Sequence, residues 1–210
     1  MLKFVVFDLD GTLGDTLPLC LAAFKKAVTP YMGYTPDDEE VTKAFGLNEE
    51  GMMKIFVGNR WQEALDEFYA IYMEMHPMCP SPFPGIAEIL CSLKQQHLGL
   101  ALITGKGKTC CDITLAQFGL ADVFEFIAIG SPERNVKADA LRRMLGQYQL
   151  SPDEIVYVGD TLSDVVACRE AGVRCLSAAW APGSPAAELE QANKGNVVYS
   201  VGELRSRLGL

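Results

Sequence analysis

Long apolar runs, an excess of positive charge, histidine and any ordered spacing of cysteines are all scarce in this sequence. No run approaches the roughly 20 apolar residues that a membrane-spanning helix needs. Lys and Arg together number 18 against 27 Asp and Glu, a net charge of −9. Neither a nucleic-acid backbone nor an anionic membrane is drawn to such a surface, so both are excluded as the main partner. The seven cysteines are odd in number and scattered, with only Cys110 and Cys111 adjacent. They form neither a disulfide framework nor a zinc spacing, and read as reduced core thiols. The start of the chain has a single basic residue, Lys3, before Phe4-Val5-Val6-Phe7 and then acid, which is not the pattern of a signal peptide. The expectation is a soluble, cytoplasmic protein.

What is present is enough for one substantial core with a smaller accessory unit beside it: 210 residues, 49% of them hydrophobic. Phe4–Phe7 is a continuous apolar run rich in aromatic and β-branched residues, as in a strand buried on both faces of a parallel sheet. Similar runs recur over Leu100–Ile103, Phe126–Ile129, Ile155–Val158 and Val173–Leu176. Segments with helical periodicity lie between them, marked by Ile86, Ile89, Leu90 and Leu93 and by Leu141, Met144 and Leu145. This alternation predicts a doubly wound, Rossmann-like α/β core.

Residues 16–82 break the pattern with helix-like stretches over Leu17–Val28, Asp38–Phe45, Gly51–Phe56 and Trp61–Met75. Gly14 and Pro18 mark one boundary, and Pro77, Pro80, Pro82 and Pro84 the other. The chain is therefore expected to divide into a catalytic α/β core, residues 1–15 and 83–210, and an inserted helical domain, residues 16–82. That insert reads either as a mobile cap or as a helical subdomain packed rigidly on the sheet.

The residues that carry chemistry stand at strand ends, where open α/β sheets bind their ligands. Asp8 and Asp10, two apart, can face one centre, and Gly11 allows a sharp turn after them. Carboxylates so close repel unless a cation or proton is shared between them. An oxygen-rich set without a histidine or thiolate cluster favours a hard ion, and magnesium is the common one. Gly159-Asp160-Thr161 and Asp164 follow the fourth apolar run; Asp160 can reach the same metal, and Asp164 can ligate it or orient a bound water. Thr104 and Gly105 offer a hydroxyl and a backbone N–H to a phosphoryl oxygen, and Lys137, at a predicted helix start, offers an ammonium.

In order, these motifs resemble those of the haloacid dehalogenase superfamily, and the resemblance spans nearly the whole chain. Asp8, Asp10, Gly11, Thr12, Leu13, Asp15 and Thr16 match the first motif, Thr104 the second, Lys137 the third, and Gly159, Asp160 and Asp164 the fourth. The resemblance implies that Asp8 is the nucleophile and that Asp10 is the acid/base and a backbone-carbonyl metal ligand. It further implies that Asp160 is a ligand of Mg²⁺ and that Asp164 supports the metal shell. The helical insert is similar to the cap of the phosphoglycolate-phosphatase-like branch, and the second aspartate sets the chain apart from the dehalogenases themselves.

Two positions depart from the family pattern. Thr104-Gly105-Lys106 stands where Thr-Asn-Lys is frequent, and Lys137-Ala138 where Lys-Pro is, so Lys106 and Lys108 remain alternatives to Lys137. The implied activity is hydrolysis of a small phosphorylated metabolite, phosphoglycolate first, with a sugar phosphate, a nucleotide or pyrophosphate also compatible. A phosphoglucomutase-like transfer and a non-catalytic module binding magnesium and phosphate are the alternatives. Lys54, Arg60, Lys43 and Trp61 are the candidate substrate contacts in the cap.

Overall fold

Each of the five apolar runs becomes a strand, and those over Phe4–Phe7, Leu100–Ile103 and Ile155–Val158 are buried throughout, as in a sheet covered on both sides, whereas Ile127 is exposed. The computed structural model describes residues 1–210. In it β1 (Phe4–Phe7), β2 (Gly99–Ile103), β3 (Phe126–Ala128), β4 (Ile155–Gly159), β5 (Arg174–Ala178) and β6 (Val197–Val198) form one parallel sheet in the order β3-β2-β1-β4-β5-β6. The helices are α1 (Leu17–Met32), α2 (Asp38–Thr42), α3 (Glu49–Val57), α4 (Trp61–Met75), α5 (Ile86–Gln95), α6 (Lys108–Gln117), α7 (Lys137–Gln147), α8 (Leu162–Ala171), α9 (Ala186–Ala192) and α10 (Val201–Arg207).

Alternate strand residues sort into two buried layers. Val5, Phe7, Leu100, Leu102, Val156 and Val158 pack with α5, α6 and α10 on one face. Val6, Ala101, Ile103, Ile155 and Tyr157 pack with α7, α8 and α9 on the other. Helices α1 to α4 lie between β1 and α5 in the chain, and their inward residues, among them Phe24, Met53, Phe68 and Tyr72, are continuous with the first layer. No helix is long and apolar enough to cross a membrane.

Several boundaries differ from those expected. The strand expected to reach Ile129 stops at Ala128, where the chain turns away so that Gly130 N–H donates to the Lys106 carbonyl at 2.9 Å. The strand expected over Val173–Leu176 is shifted toward its C-terminus, running from Arg174 to Ala178. Helix α1 continues past Val28 through Pro30, and closes at Gly33 (φ +76°), whose N–H donates to the Thr29 carbonyl. Helix α2 ends at Thr42, leaving Phe45 outside it. Helix α3 starts at Glu49 rather than Gly51, because the Asn48 side chain caps it by accepting from Gly51 N–H. Five cysteines are buried as expected, but Cys91 is exposed and Cys20 half-buried.

Candidate active site

The strand order reverses direction at β1. Chain segments lead from it to β2 and β3 on one side and to β4, β5 and β6 on the other, which opens a crevice at the carboxyl ends of β1 and β4. The register Phe7–Val158, extended by Asp8 N–H donating to the Val158 carbonyl at 2.9 Å, sets Asp8 beside Gly159-Asp160. Gly11 turns the chain at φ +71°, and a Cβ there would lie 2.2 Å from Asp160 Oδ2, so only glycine lets the two loops meet. Thr12 Oγ1 donates to Asp160 Oδ1 at 3.2 Å from the same turn.

Lys137, the first residue of α7, is buried, and its Nζ lies 2.7 Å from Asp8 Oδ2 and 2.6 Å from Asp164 Oδ1. Asp164 is fully enclosed: Oδ1 also accepts from the Tyr157 hydroxyl at 2.8 Å, and Oδ2 accepts from Thr161 N–H at 3.0 Å and Thr161 Oγ1 at 2.6 Å. Burial works to raise the Asp164 pKa, but Lys137 and these hydrogen bonds outweigh it and hold the carboxyl below its ordinary value. Asp8 moves the other way, pushed up to about 6 by burial against the opposing pull of Lys137. Asp160 rises well above the ordinary range, from burial first and then from Asp8 and Asp164. One lysine thus serves a cluster in which Asp8, Asp160 and Asp164 each have an oxygen within 4.8 Å of the others. Buried oxygen ligands short of positive charge are the donor set of a hard divalent ion, and the residues fit one.

Asp10 turns its side chain away from that cluster. Its Oδ1 accepts from the Thr16 hydroxyl and sits 3.2 Å from Lys106 Nζ, with Cys20 Sγ at 3.8 Å. Lys106 is also buried, packs its ammonium over the Tyr72 ring at 4.9 Å, and lies 3.9 Å from Glu49 Oε1. Burial works to lower its pKa, but Asp10 and the groups around it reverse the sign and raise it. Asp8, Asp10, Gly105, Lys106, Lys137 and Asp160 all line one cavity of about 750 Å³ under α1 to α4. Thr104 lies just beneath, buried, its hydroxyl accepting from Lys106 N–H at 3.1 Å.

The family model for haloacid dehalogenase-like hydrolases matches residues 5–178. The chain belongs to this family. It is 27% identical over 182 residues to a phosphoglycolate phosphatase of Synechococcus elongatus, covering 85% of this chain and 84% of the relative. It is 29% identical over 213 residues to the tyrosine-protein kinase PtkA of Mycobacterium tuberculosis, covering 99% of this chain and 73% of that one. Its fold is shared with the crystal structure of CbbY from Rhodobacter sphaeroides in complex with phosphate, at a TM-score of 0.81 and 22% identity over 97% and 96% of the two chains.

Not every expected residue of this haloacid dehalogenase-like site reaches the cavity. Lys108 is exposed and paired with Asp112 at 2.6 Å, which removes it as an alternative to Lys137. Lys54 pairs with Glu50 at 2.6 Å and stacks on Trp61, while Arg60 pairs with Glu63 at 2.7 Å and stacks on Tyr31. Neither lines the cavity. Lys43 does, though its ammonium is solvent-exposed and 3.0 Å from Glu39. Two residues not expected at the site stand in it: Glu49, whose Oε2 accepts from Gly107 N–H at 2.6 Å, and Cys20. Glu49 stands before the helix expected to start at Gly51, and nothing local to it or to Cys20 distinguishes either residue.

Proposed function

We propose that this haloacid dehalogenase-like hydrolase is a magnesium-dependent phosphatase that hydrolyses a small phosphate monoester through an aspartyl-phosphate on Asp8. The observation that carries the reading is the division of labour between two carboxylates on one turn. Asp8 is held at the cavity floor against Lys137, while Asp10 lines the same cavity on a separate set of partners, Thr16 and Lys106. A nucleophile must stay ionised and an acid/base must exchange its proton, and such separate environments let each do its task.

Asp8, Asp160 and the backbone carbonyl of Asp10 would hold the ion, and Asp164, its oxygens already taken by Lys137, Tyr157 and Thr161, would brace the shell from behind. Bound there, magnesium would supply charge neutralisation for the phosphoryl oxygens. Asp8 attacks phosphorus as the bond to the ester oxygen breaks, and Asp10 gives its proton to the departing alkoxide. Asp10 then takes a proton from water as that water attacks phosphorus and the bond to Asp8 breaks, releasing inorganic phosphate and restoring the Asp8 carboxylate and the protonated Asp10. Lys137 offsets the charge on the transferred group, and Gly105 presents a backbone N–H to it. Residues 16–82 act as the cap that excludes bulk water during the first step.

Phosphate release from a panel of monoesters, with magnesium and then with excess chelator, tests this directly. Asp8→Asn is expected to lower turnover at least ~10³-fold while leaving the protein folded, with a thermal midpoint no lower than that of the parent. Retained turnover in that variant would remove the mechanism, and an isomerised sugar phosphate in place of free phosphate would return the mutase alternative.

A further inference from the structure

The phosphate end of the cavity needs little of its volume, and the remainder is walled by a different kind of residue. Phe24, Phe45, Leu47, Met52, Ile55 and Phe68, all from the helical segment, line it opposite the carboxylates. Phe24 and Phe68 meet edge to face with centroids 6.1 Å apart. Ile55 and Phe45 keep 62% and 42% of their surface exposed, unusual for large apolar side chains at the mouth of a charged site. The uncharged polar lining residues Asn135, Thr161 and Ser163 belong instead to the core, beside the starts of α7 and α8, while Lys43 and Glu49 come from the helical segment.

The cations of the cavity are all matched. Lys137 is shared by Asp8 and Asp164, Lys106 by Asp10 and Glu49, and Lys43 is solvated at the rim beside Glu39. A second anionic group on the substrate would meet no unpaired ammonium, and would face the buried carboxylate of Glu49. Burying such a charge, or the hydroxyls of a sugar, against the side chains of Phe24, Met52, Ile55 and Phe68, which offer no hydrogen-bond partner, is unfavourable, whereas burying hydrocarbon there is favourable.

Resting on the phosphatase reading above, we infer that the preferred substrate is a phosphate monoester of an apolar, uncharged alcohol, whose alkyl or aryl part lies against the wall formed by Phe24, Met52, Ile55 and Phe68. A small second anion such as the carboxylate of phosphoglycolate is disfavoured. The cavity, at about 750 Å³, is of the size that encloses ligands much larger than a two-carbon acid.

The test is kcat/KM with magnesium for ethyl, butyl and 2-phenylethyl phosphate, glycerol 3-phosphate and phosphoglycolate, all of which release a primary alkoxide. The value is expected to rise roughly tenfold or more from ethyl to 2-phenylethyl phosphate, with phosphoglycolate below ethyl phosphate. Ile55→Arg, at an exposed position that tolerates a charge, is expected to raise the ratio of phosphoglycolate to 2-phenylethyl phosphate about tenfold. Turnover that favours phosphoglycolate or glycerol 3-phosphate in the parent enzyme, or an unchanged ratio in Ile55→Arg, overturns this inference while leaving the phosphatase reading intact. Hydrolysis of none of the esters overturns that reading, and this inference with it.

Discussion

Lys137 holds two buried carboxylates at once, and the two contacts have different consequences. Its bond to Asp164 completes a shell whose other donors are Tyr157 and Thr161, whereas its bond to Asp8 reaches the proposed nucleophile. Lys137→Met would leave both carboxylates buried without a counter-charge, so the urea midpoint is expected to fall by the equivalent of about 3–5 kcal/mol. Adding Asp164→Asn to that variant should recover part of the stability, since a neutral amide no longer needs the ammonium, but none of the lost phosphate release. Full recovery of activity in the double variant would show that Lys137 acts only on the fold. The motif residues were legible because strand-end carboxylates, a strand-end Thr-Gly and a helix-start lysine each carry a local signal. Lys106 was visible only as an alternative, because its burial beside Asp10 depends on Tyr72 and Glu49, more than 30 residues away in the chain. Lys54 and Arg60 stand out in the sequence by their charge, but Glu50 and Glu63, one turn away, hold them at the surface.

At the scale of elements, the N-terminus of α3 is where the helical segment grips the core. Asn48 N–H donates to the Ser131 carbonyl at 3.0 Å, Asn48 Nδ2 reaches the Gly130 carbonyl at 3.4 Å, and Glu49 takes Gly107 N–H. A Cβ on Gly51 would lie 2.4 Å from the Pro132 carbonyl oxygen, so the helix backbone itself rests on that loop. Glu49→Ala would leave a buried N–H without a partner, at a cost of about 1–3 kcal/mol that the protein can avoid by opening this contact. Faster amide exchange over residues 48–53 and 105–107 is therefore expected, with kcat/KM reduced about tenfold; Glu49→Gln, which keeps the acceptor, should show less of both. Unchanged exchange in Glu49→Ala would mean that this contact does not hold the two parts together. The buried strands and long helices were readable from their periodicity. Strand β6 was not, because two residues carry no period, and its pairing with β5 through Ser177–Val197 is set by the sheet edge it covers.

For the whole molecule, the same cluster that equips the site works against the fold when no metal is bound. Asp8 has its pKa raised from the ordinary 3.8 to about 6, and burial raises Asp160 well above the same ordinary value, so above pH 3.8 the folded state holds protons that the unfolded chain has released. Stability from this source is complete below about pH 4 and is lost as pH rises through 6. Asp164 and Lys137 do not enter the window, since the first is lowered from 3.8 and the second raised above 10.5. His76 acts in the opposite sense, because burial lowers its pKa below 6.5 and so favours folding as the ring loses its proton. Comparing the parent with Asp160→Asn cancels the His76 contribution and isolates the carboxylate cluster. In chelator at pH 7.5, Asp160→Asn is expected to melt several degrees higher than the parent, on a scale of about 2–4 °C per kcal/mol for a chain of this size. The gap should close as pH falls toward 4, where the parent's carboxyl is protonated. Magnesium should raise the parent's midpoint at pH 7.5 and leave the variant's nearly unchanged, because binding to the folded state alone stabilises it and the variant lacks one of the proposed ligands. A variant that melts below the parent at every pH, or gains as much from magnesium, would show that Asp160 pays its desolvation cost to some partner other than the ion.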